Sequence, residues 1–367
     1  MVRHGYTGCA PCHDDPSGGG ILSAYGRSVG GLVMRTRYGE APDEPAPADD
    51  FLLGSAELPA WLDLGGDVRG LWLASKVEGA RTRHDWFLMQ ADLEAAAHVK
   101  SIIASASVGF AQTGGFGAAV TRAPKDNLVS RVHWAGYEFD ETTGLIVRAG
   151  RMNLPFGIRN VEHTLFARVE TGTGLDQDQQ HGLAAAWSPG PFRAELMAIL
   201  GNYQIRPDAY RERGYSGFLE WFPDKQLGLG ASSRLTHRKL DPSYLRETWR
   251  QAHGLFLRWA SGFEPLVILA EGDYVFRAPK GDYHRKGTVA YLQADLEAVQ
   301  GLHVLLTGEA DHVGVHGTPF SWGAWFSQAW FFAPHADVRV DNVYQSVADA
   351  TGRTDVLTLL VQLHAYL

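Results

Sequence analysis

From about residue 66 to the end, apolar and polar residues alternate with a period of two in segments of roughly ten to fourteen residues. In TVAYLQADLEAV (288–299), Ala290, Leu292, Ala294, Leu296 and Ala298 fall on one face, and Val289, Tyr291, Gln293, Asp295 and Glu297 on the other. The same alternation sets Phe87, Met89, Ala91, Leu93 and Ala95 opposite Leu88, Gln90, Asp92 and Glu94. A helix would space its apolar residues at i, i+3 and i+4, whereas a strand alternates. The pattern predicts sixteen strands, near 66–77, 84–97, 101–112, 129–140, 144–153, 181–188, 192–201, 214–222, 226–237, 248–260, 264–276, 287–298, 302–313, 320–332, 336–347 and 355–367.

The connections alternate too. Short ones at 140–144, 188–191, 222–226, 261–264 and 333–337 are interleaved with long ones at 113–128, 154–180, 202–213, 238–247 and 277–286. A soluble sandwich of long strands has no reason to keep that order. A transmembrane β-barrel does, with turns on the periplasmic side and loops outside. An even strand number returns both chain ends to the turn side. The segments suit tilted spanning strands of about 9–11 residues. In lipid an open sheet edge leaves each unpaired backbone group at a cost of several kcal/mol, so the sheet must close. The last segment, LTLLVQLHAYL, alternates to the final residue, as a closing strand should. The expected fold class is therefore all-β: a porin-like antiparallel barrel of about sixteen strands in a bacterial outer membrane, with lipid as its first partner.

In this arrangement the aliphatic face meets lipid and the acid- and amide-rich face looks inward. Asp92, Glu94, Glu138, Glu271, Asp273, Asp295, Glu297, Glu309 and Asp311 are expected there, a set that favours cations over anions, although polar residues inside a wet barrel are expected whatever its function. The net charge of −8 gives no sign of nucleic-acid binding.

Residues 1–38 have a different texture, with a short helix expected over Leu22–Arg35. The Pro/Asp/Glu-rich stretch GEAPDEPAPADD opens a linker over 39–64, and the barrel is expected over 65–367. The only two cysteines of 367 residues sit in this N-terminal segment as C-x-x-C-H: Cys9, Cys12 and His13. That spacing attaches one haem c covalently, through two thioethers, with His13 as an axial ligand of the iron. A lone disulfide, a redox dithiol and a chance match are the alternatives; a zinc site lacks a second ligand pair. No apolar signal region precedes Cys9. A haem site of this type is made after export, so a leader ahead of the given start is expected.

Met34, 21 residues after His13, is the candidate sixth ligand, in competition with a barrel histidine, His4 or an open position. Methionine opposite histidine raises the haem potential. Arg27, Arg35 and Arg37 are candidates to neutralise haem propionates. A segment this small needs staples to fold. The haem is one, and the barrel mouth is the other, so the haem segment is expected at the periplasmic side or in the lumen.

The longest connection follows GRMNLPFG (150–157), which resembles the strand-to-loop passage of phosphate-selective and related porins. The loop either folds inward as a constriction, making Arg159, Glu162, His163 and Arg168 lumen residues, or stays outside in solvent.

One N-terminal CAPCH (9–13), followed by PSGGG (16–20), Tyr25-Gly26-Arg27 and about sixteen porin-type strands, resembles the fused monohaem cytochrome–porins of iron-oxidising bacteria. The resemblance implies that Cys9, Cys12 and His13 hold haem, that the haem segment plugs the barrel, and that extracellular Fe(II) is the electron donor. The leading expectation is electron transfer from Fe(II), or another extracellular reductant, to a periplasmic cytochrome. A passive porin with a haem plug or dock, and the sheath of a multihaem conduit, are the alternatives.

Overall fold

The structure is a computed structural model and describes residues 2–38, 47–110, 128–140, 142–162, 164–175, 178–349 and 352–367. Strands β1 (Leu62–Val77), β2 (Arg83–Val99) and β3 (Ile102–Phe110) open the sheet. The next strand, β4, is interrupted: Leu128–Val129 and His133–Asp140 both pair with β3. There follow β5 (Leu145–Met152), β6 (Gln180–Trp187), β7 (Phe192–Gly201), β8 (Arg213–Asp224), β9 (Leu227–Asp241) and β10 (Arg246–Ala260). The wall is completed by β11 (Leu266–Pro279), β12 (Arg285–Val299), β13 (Leu302–Asp311), β14 (Ser321–Ala333), β15 (Ala336–Asp349) and β16 (Gly352–Tyr366). Every neighbour in the chain is an antiparallel neighbour in the sheet, and β16 pairs with β1 from Asp67↔Tyr366 to Val77↔Val356. Sixteen strands thus close into a barrel with no free edge.

The outward face is apolar, as spanning strands require. Leu93, Leu196, Leu255, Leu292 and Leu306 all point out and are more than half exposed. Aromatic residues sit towards the strand ends, including Trp187, Trp221, Trp259 and Trp330 beside the turns and Trp249 and Trp322 beside the loops. No helix among the described residues is long and apolar enough to cross a membrane.

Three expectations need correction. The connections expected at 238–247 and 277–286 are mostly strand, because β9 and β10 stay paired out to Asp241↔Arg246 and β11 and β12 to Arg277↔Arg285. Beyond the lipid both faces of a hairpin are wet, so the alternation fades while the pairing continues. Cross-strand ion pairs hold these extensions, among them Arg250 Nε to Asp241 Oδ2 at 2.6 Å. In β2 the pairing with β1 slips by one residue between Arg69 and Gly70. Below the slip Gln90 and Asp92 are buried inside; above it Phe87 pairs with the inward Leu71, so Phe87 and Met89 are not on one face. The connection expected at 113–128 lies almost wholly outside the described residues.

The third correction concerns the lumen. The expected acidic inner face is matched by inward arginines. Arg131 pairs with Asp92, Arg168 with Glu271, and Arg148 with Glu195. Arg234 and Arg238 both reach Glu212, and Arg193 and Arg258 both reach Glu220. The interior is not simply wet either. The 153–175 connection runs inward from the loop end, and its Phe156, Ile158, Leu165 and Ala167 pack against Phe256, Val275, Val289, Tyr291, Trp325 and Val343 of the wall.

Candidate functional site

The inward loop is fixed by its backbone as much as by its side chains. Gly157 has φ +53°, and a Cβ there would overlap the carboxylate of Glu271. That close approach lets the Ile158 N–H donate to Glu271 Oε2 at 2.7 Å. Helix α2 (Phe166–Thr171) follows; its Phe166 N–H donates to Glu309 Oε2 at 2.7 Å, and Arg168 pairs with Glu271. Glu162 accepts from Arg339 Nη2 at 2.6 Å and Gln293 Nε2 at 3.1 Å. Arg159, Glu162 and Arg168 are therefore lumen residues; His163 lies outside the described residues.

The N-terminal segment enters from the turn end. Its C-x-x-C-H closes a single helical turn, with the His13 N–H donating to the Cys9 carbonyl at 3.0 Å. The chain then reverses, and the Asp14 N–H returns to the Ile21 carbonyl at 3.3 Å. Gly18, Gly19 and Gly20 make the reversal at φ +80°, +81° and +65°, a left-handed run suited to glycine. Helix α1 (Ala24–Val29) starts at Ser23, which caps it by accepting from the Gly26 N–H at 3.1 Å. A wider turn over Gly30–Met34 ends the helical stretch.

Contacts from several sides hold this segment in the barrel mouth. Arg148, fully buried, donates to Asp15 Oδ1 at 2.7 Å and also pairs with Glu195. Ser17 donates to Glu195, and the Ser17 carbonyl accepts from Arg159 of the inward loop. On the opposite wall the Thr36 N–H donates to the Phe331 carbonyl at 2.8 Å, and Gln300 Nε2 donates to the Leu32 carbonyl at 2.9 Å. Arg3 pairs with Glu297.

Between segment, wall and loop tip lies a cavity of about 420 Å³. Cys9, Cys12, His13 and Met34 all line it, with Val161 from the loop and Tyr366 from the wall. The two cysteines are free thiols. Burial pushes the Cys12 thiol up and the His13 imidazole down, so the ring stays neutral, as a metal ligand must be. His13 Nδ1 is buried and has no hydrogen-bond partner. Glycines line much of the space, and a Cβ at Gly19 or Gly30 would touch nothing within 4 Å. A paired-thiol turn, a neutral histidine, a thioether and a glycine-lined hollow fit a covalently held haem.

Of the three arginines named from the sequence, Arg27 and Arg35 line the cavity, and all three have partners within the protein. Arg27 donates to Asp50 Oδ1 at 3.1 Å and Asp63 Oδ1 at 3.3 Å, Arg35 pairs with Asp49, and Arg37 donates to the Gly31 carbonyl. Two wall histidines that the sequence pattern did not single out also reach the cavity, His335 and His364. His364 is held between Asp337 at 2.8 Å and Asp67 at 2.5 Å, so both its nitrogens are engaged. His335 donates through Nε2 to the Asp50 carbonyl at 3.0 Å, and its Nδ1 is buried without a partner. His4 does not line the cavity; it lies beside Arg3.

No family model matches the sequence, and no curated protein does. Solved structures do match. A loop-deletion mutant of OmpT, an outer membrane protein of Vibrio cholerae, aligns with a TM-score of 0.61 at 11% identity over 83% of this chain and 99% of that one. The fold is a porin fold. The anion-selective porin from Comamonas acidovorans gives 0.60 at 11% identity over 83% and 99% of the two chains. The outer membrane channel DcaP of Acinetobacter baumannii gives 0.60 at 12% identity over 85% and 99%. At such identities the likeness concerns the barrel alone.

Proposed function

We propose that this protein is a bacterial outer-membrane cytochrome–porin that passes single electrons between a donor outside the cell, Fe(II) first, and periplasmic carriers. One observation carries the reading: Cys9, Cys12, His13 and Met34 line one cavity in the turn-end mouth of a sixteen-strand barrel. Cys9 and Cys12 would hold the haem covalently, and His13 and Met34 would supply its nitrogen and thioether ligands. When bound, the haem supplies a one-electron Fe(III)/Fe(II) couple. The chain's own part is to bury His13 in its neutral form, to seat the segment through Arg148 and Thr36, and to close the cavity towards the loop end with the inward loop. An outside donor such as Fe(II) would give up one electron at this site and leave as Fe(III), and a periplasmic carrier would take that electron on.

A channel gated by the N-terminal segment is the second reading, favoured by the likeness to porins. The packing of Phe156, Ile158 and Leu165 into the lumen weighs against free solute passage. The third reading, a sheath threaded by a multihaem partner, meets the same filled lumen.

The test is haem staining on a denaturing gel, with an anaerobic Fe(II) titration of the purified protein followed by its spectrum. Wild type carries covalent haem that Fe(II) reduces. Cys9→Ala with Cys12→Ala leaves a folded barrel without covalent haem. A haem-free wild type, or a haem that Fe(II) does not reduce, overturns the reading.

A further inference from the structure

Beside the cavity, three side chains from three parts of the chain converge: Asp14 next to the C-x-x-C-H turn, Asp63 near the start of β1 and His98 near the end of β2. One ligand atom from each lies within 4.8 Å of the other two. His98 Nε2 is 3.1 Å from Asp14 Oδ1 and 3.6 Å from Asp63 Oδ2. The register explains the meeting. Asp63 sits opposite Ala96, and His98 is two residues further along the same face, which makes it a diagonal neighbour of Asp63.

Two features distinguish the cluster from an ordinary ion-pair network. The Asp14 side chain is only 4% exposed, and its Oδ2 is buried with no hydrogen-bond donor. A buried carboxylate oxygen without a donor is costly and calls for a partner. Arg27 does not supply it. Its guanidinium is spent on Asp50, on the Leu22 carbonyl and on Asp63 Oδ1, which leaves Asp63 Oδ2 turned towards His98. Asp14 Oδ1 and Asp63 Oδ2 therefore both lie against His98 Nε2, two hard oxygens and one imidazole nitrogen, and the second oxygen of the Asp14 carboxylate is left without a donor. His98, 31% exposed, leaves a way in.

We infer that Asp14, Asp63 and His98 form a binding site for a divalent first-row transition cation. Two carboxylates offset the charge. The imidazole turns preference away from Ca²⁺ and Mg²⁺, which take oxygen ligands, and towards Mn²⁺, Fe²⁺ or Zn²⁺. Three protein ligands leave positions for water, as in sites that exchange their metal. That the natural occupant is Fe(II), held one residue away from His13, rests on the electron-transfer reading above. The cation site itself does not.

The probe is Mn(II) alone, followed by electron paramagnetic resonance on the full-length detergent-purified protein. Wild type should bind one Mn(II) per chain, and Fe(II) or Zn(II) should displace it while Ca(II) does not. Asp14→Asn and His98→Asn should each weaken binding by at least about tenfold, the scale on which even outer-shell partners of a metal act. Asp208→Asn, at an exposed acid of the loop end, should not. Heat-modifiable gel migration confirms that each barrel is folded, and Asp63→Asn replaces any variant that fails. Unchanged Mn(II) affinity in the folded variants, no site in wild type, or equal displacement by Ca(II) overturns the inference. The Cys9→Ala, Cys12→Ala protein, which lacks the haem thiols, should still bind Mn(II) as wild type does. In wild type, Mn(II) bound without a covalent haem that Fe(II) reduces leaves the cation site standing and the electron-transfer reading fallen, whereas reducible haem without Mn(II) binding does the reverse.

Discussion

At the scale of single residues, the cavity depends on where side chains are missing as well as where they are present. Gly26 packs against the C-x-x-C-H turn so closely that a Cβ would overlap the Cys12 carbonyl oxygen. That carbonyl also accepts from the Ser23 N–H at 3.0 Å, so helix α1 and the motif are locked as one piece. Gly26→Ala should push the helix off the turn and cost most of the covalent haem, with the barrel still folded; haem stain per folded protein measures it. Met34 is the other residue with a distinct prediction. His364 has both nitrogens committed to carboxylates, which leaves Met34 and His335 as the cavity groups that would compete for the second ligand position of a bound haem. A thioether ligand raises the haem potential, so Met34→Ala should lower the midpoint potential and slow reduction by Fe(II). His335→Ala should change neither. If only the His335 variant shifts the potential, the sixth ligand is the wall histidine.

At the scale of elements, the N-terminal segment is held by a buried ion pair rather than by an apolar core. Arg148 on β5 is fully buried between Asp15 and Glu195 and stacks on Trp134 at 5.1 Å. Removing the cation strands two buried carboxylates, a loss of about 3–5 kcal/mol for such a pair. Arg148→Met should therefore release the segment while the wall survives, and limited trypsin digestion should cut at Arg27 or Arg35 faster than in wild type. Equal digestion rates would show that Thr36 and Gln300 suffice as anchors. The strands were legible in the sequence because lipid forces alternation on every residue that touches it. Where the wall leaves lipid, at 238–247 and 277–286, both faces are wet and the signal vanished though the pairing did not. The C-x-x-C-H and Met34 could be named from spacing. The meeting of the motif with His335, and of Asp14 with Asp63 and His98, could not, because the fold joins positions tens to hundreds of residues apart. The lumen ion pairs were hidden for the same reason: Arg168 and Glu271 are 103 residues apart.

At the scale of the whole molecule, the barrel is entered from both ends by its own chain. The inward loop descends from the loop end, and the N-terminal segment rises from the turn end. They meet where Arg159 donates to the Ser17 carbonyl, above the cavity that Val161 helps to line. A solute crossing the barrel would have to pass the packed Phe156, Ile158 and Leu165, together with the Arg168–Glu271 and Arg339–Glu162 pairs. Wild type in a planar lipid bilayer should thus show little or no steady conductance. Gly157 is the place to undo the seal. It needs φ +53°, and its missing Cβ is what admits Glu271. Gly157→Ala should lift the loop from its carboxylate anchor and raise the conductance severalfold. Haem attachment, fixed at the other end, should remain as in wild type. Glu271→Gln removes the same anchor from the wall side, keeps the side chain's shape and should act in the same direction. Open-porin conductance in wild type, unchanged in both variants, would mean that the loop does not seal the lumen. The channel reading would then displace the electron-transfer one.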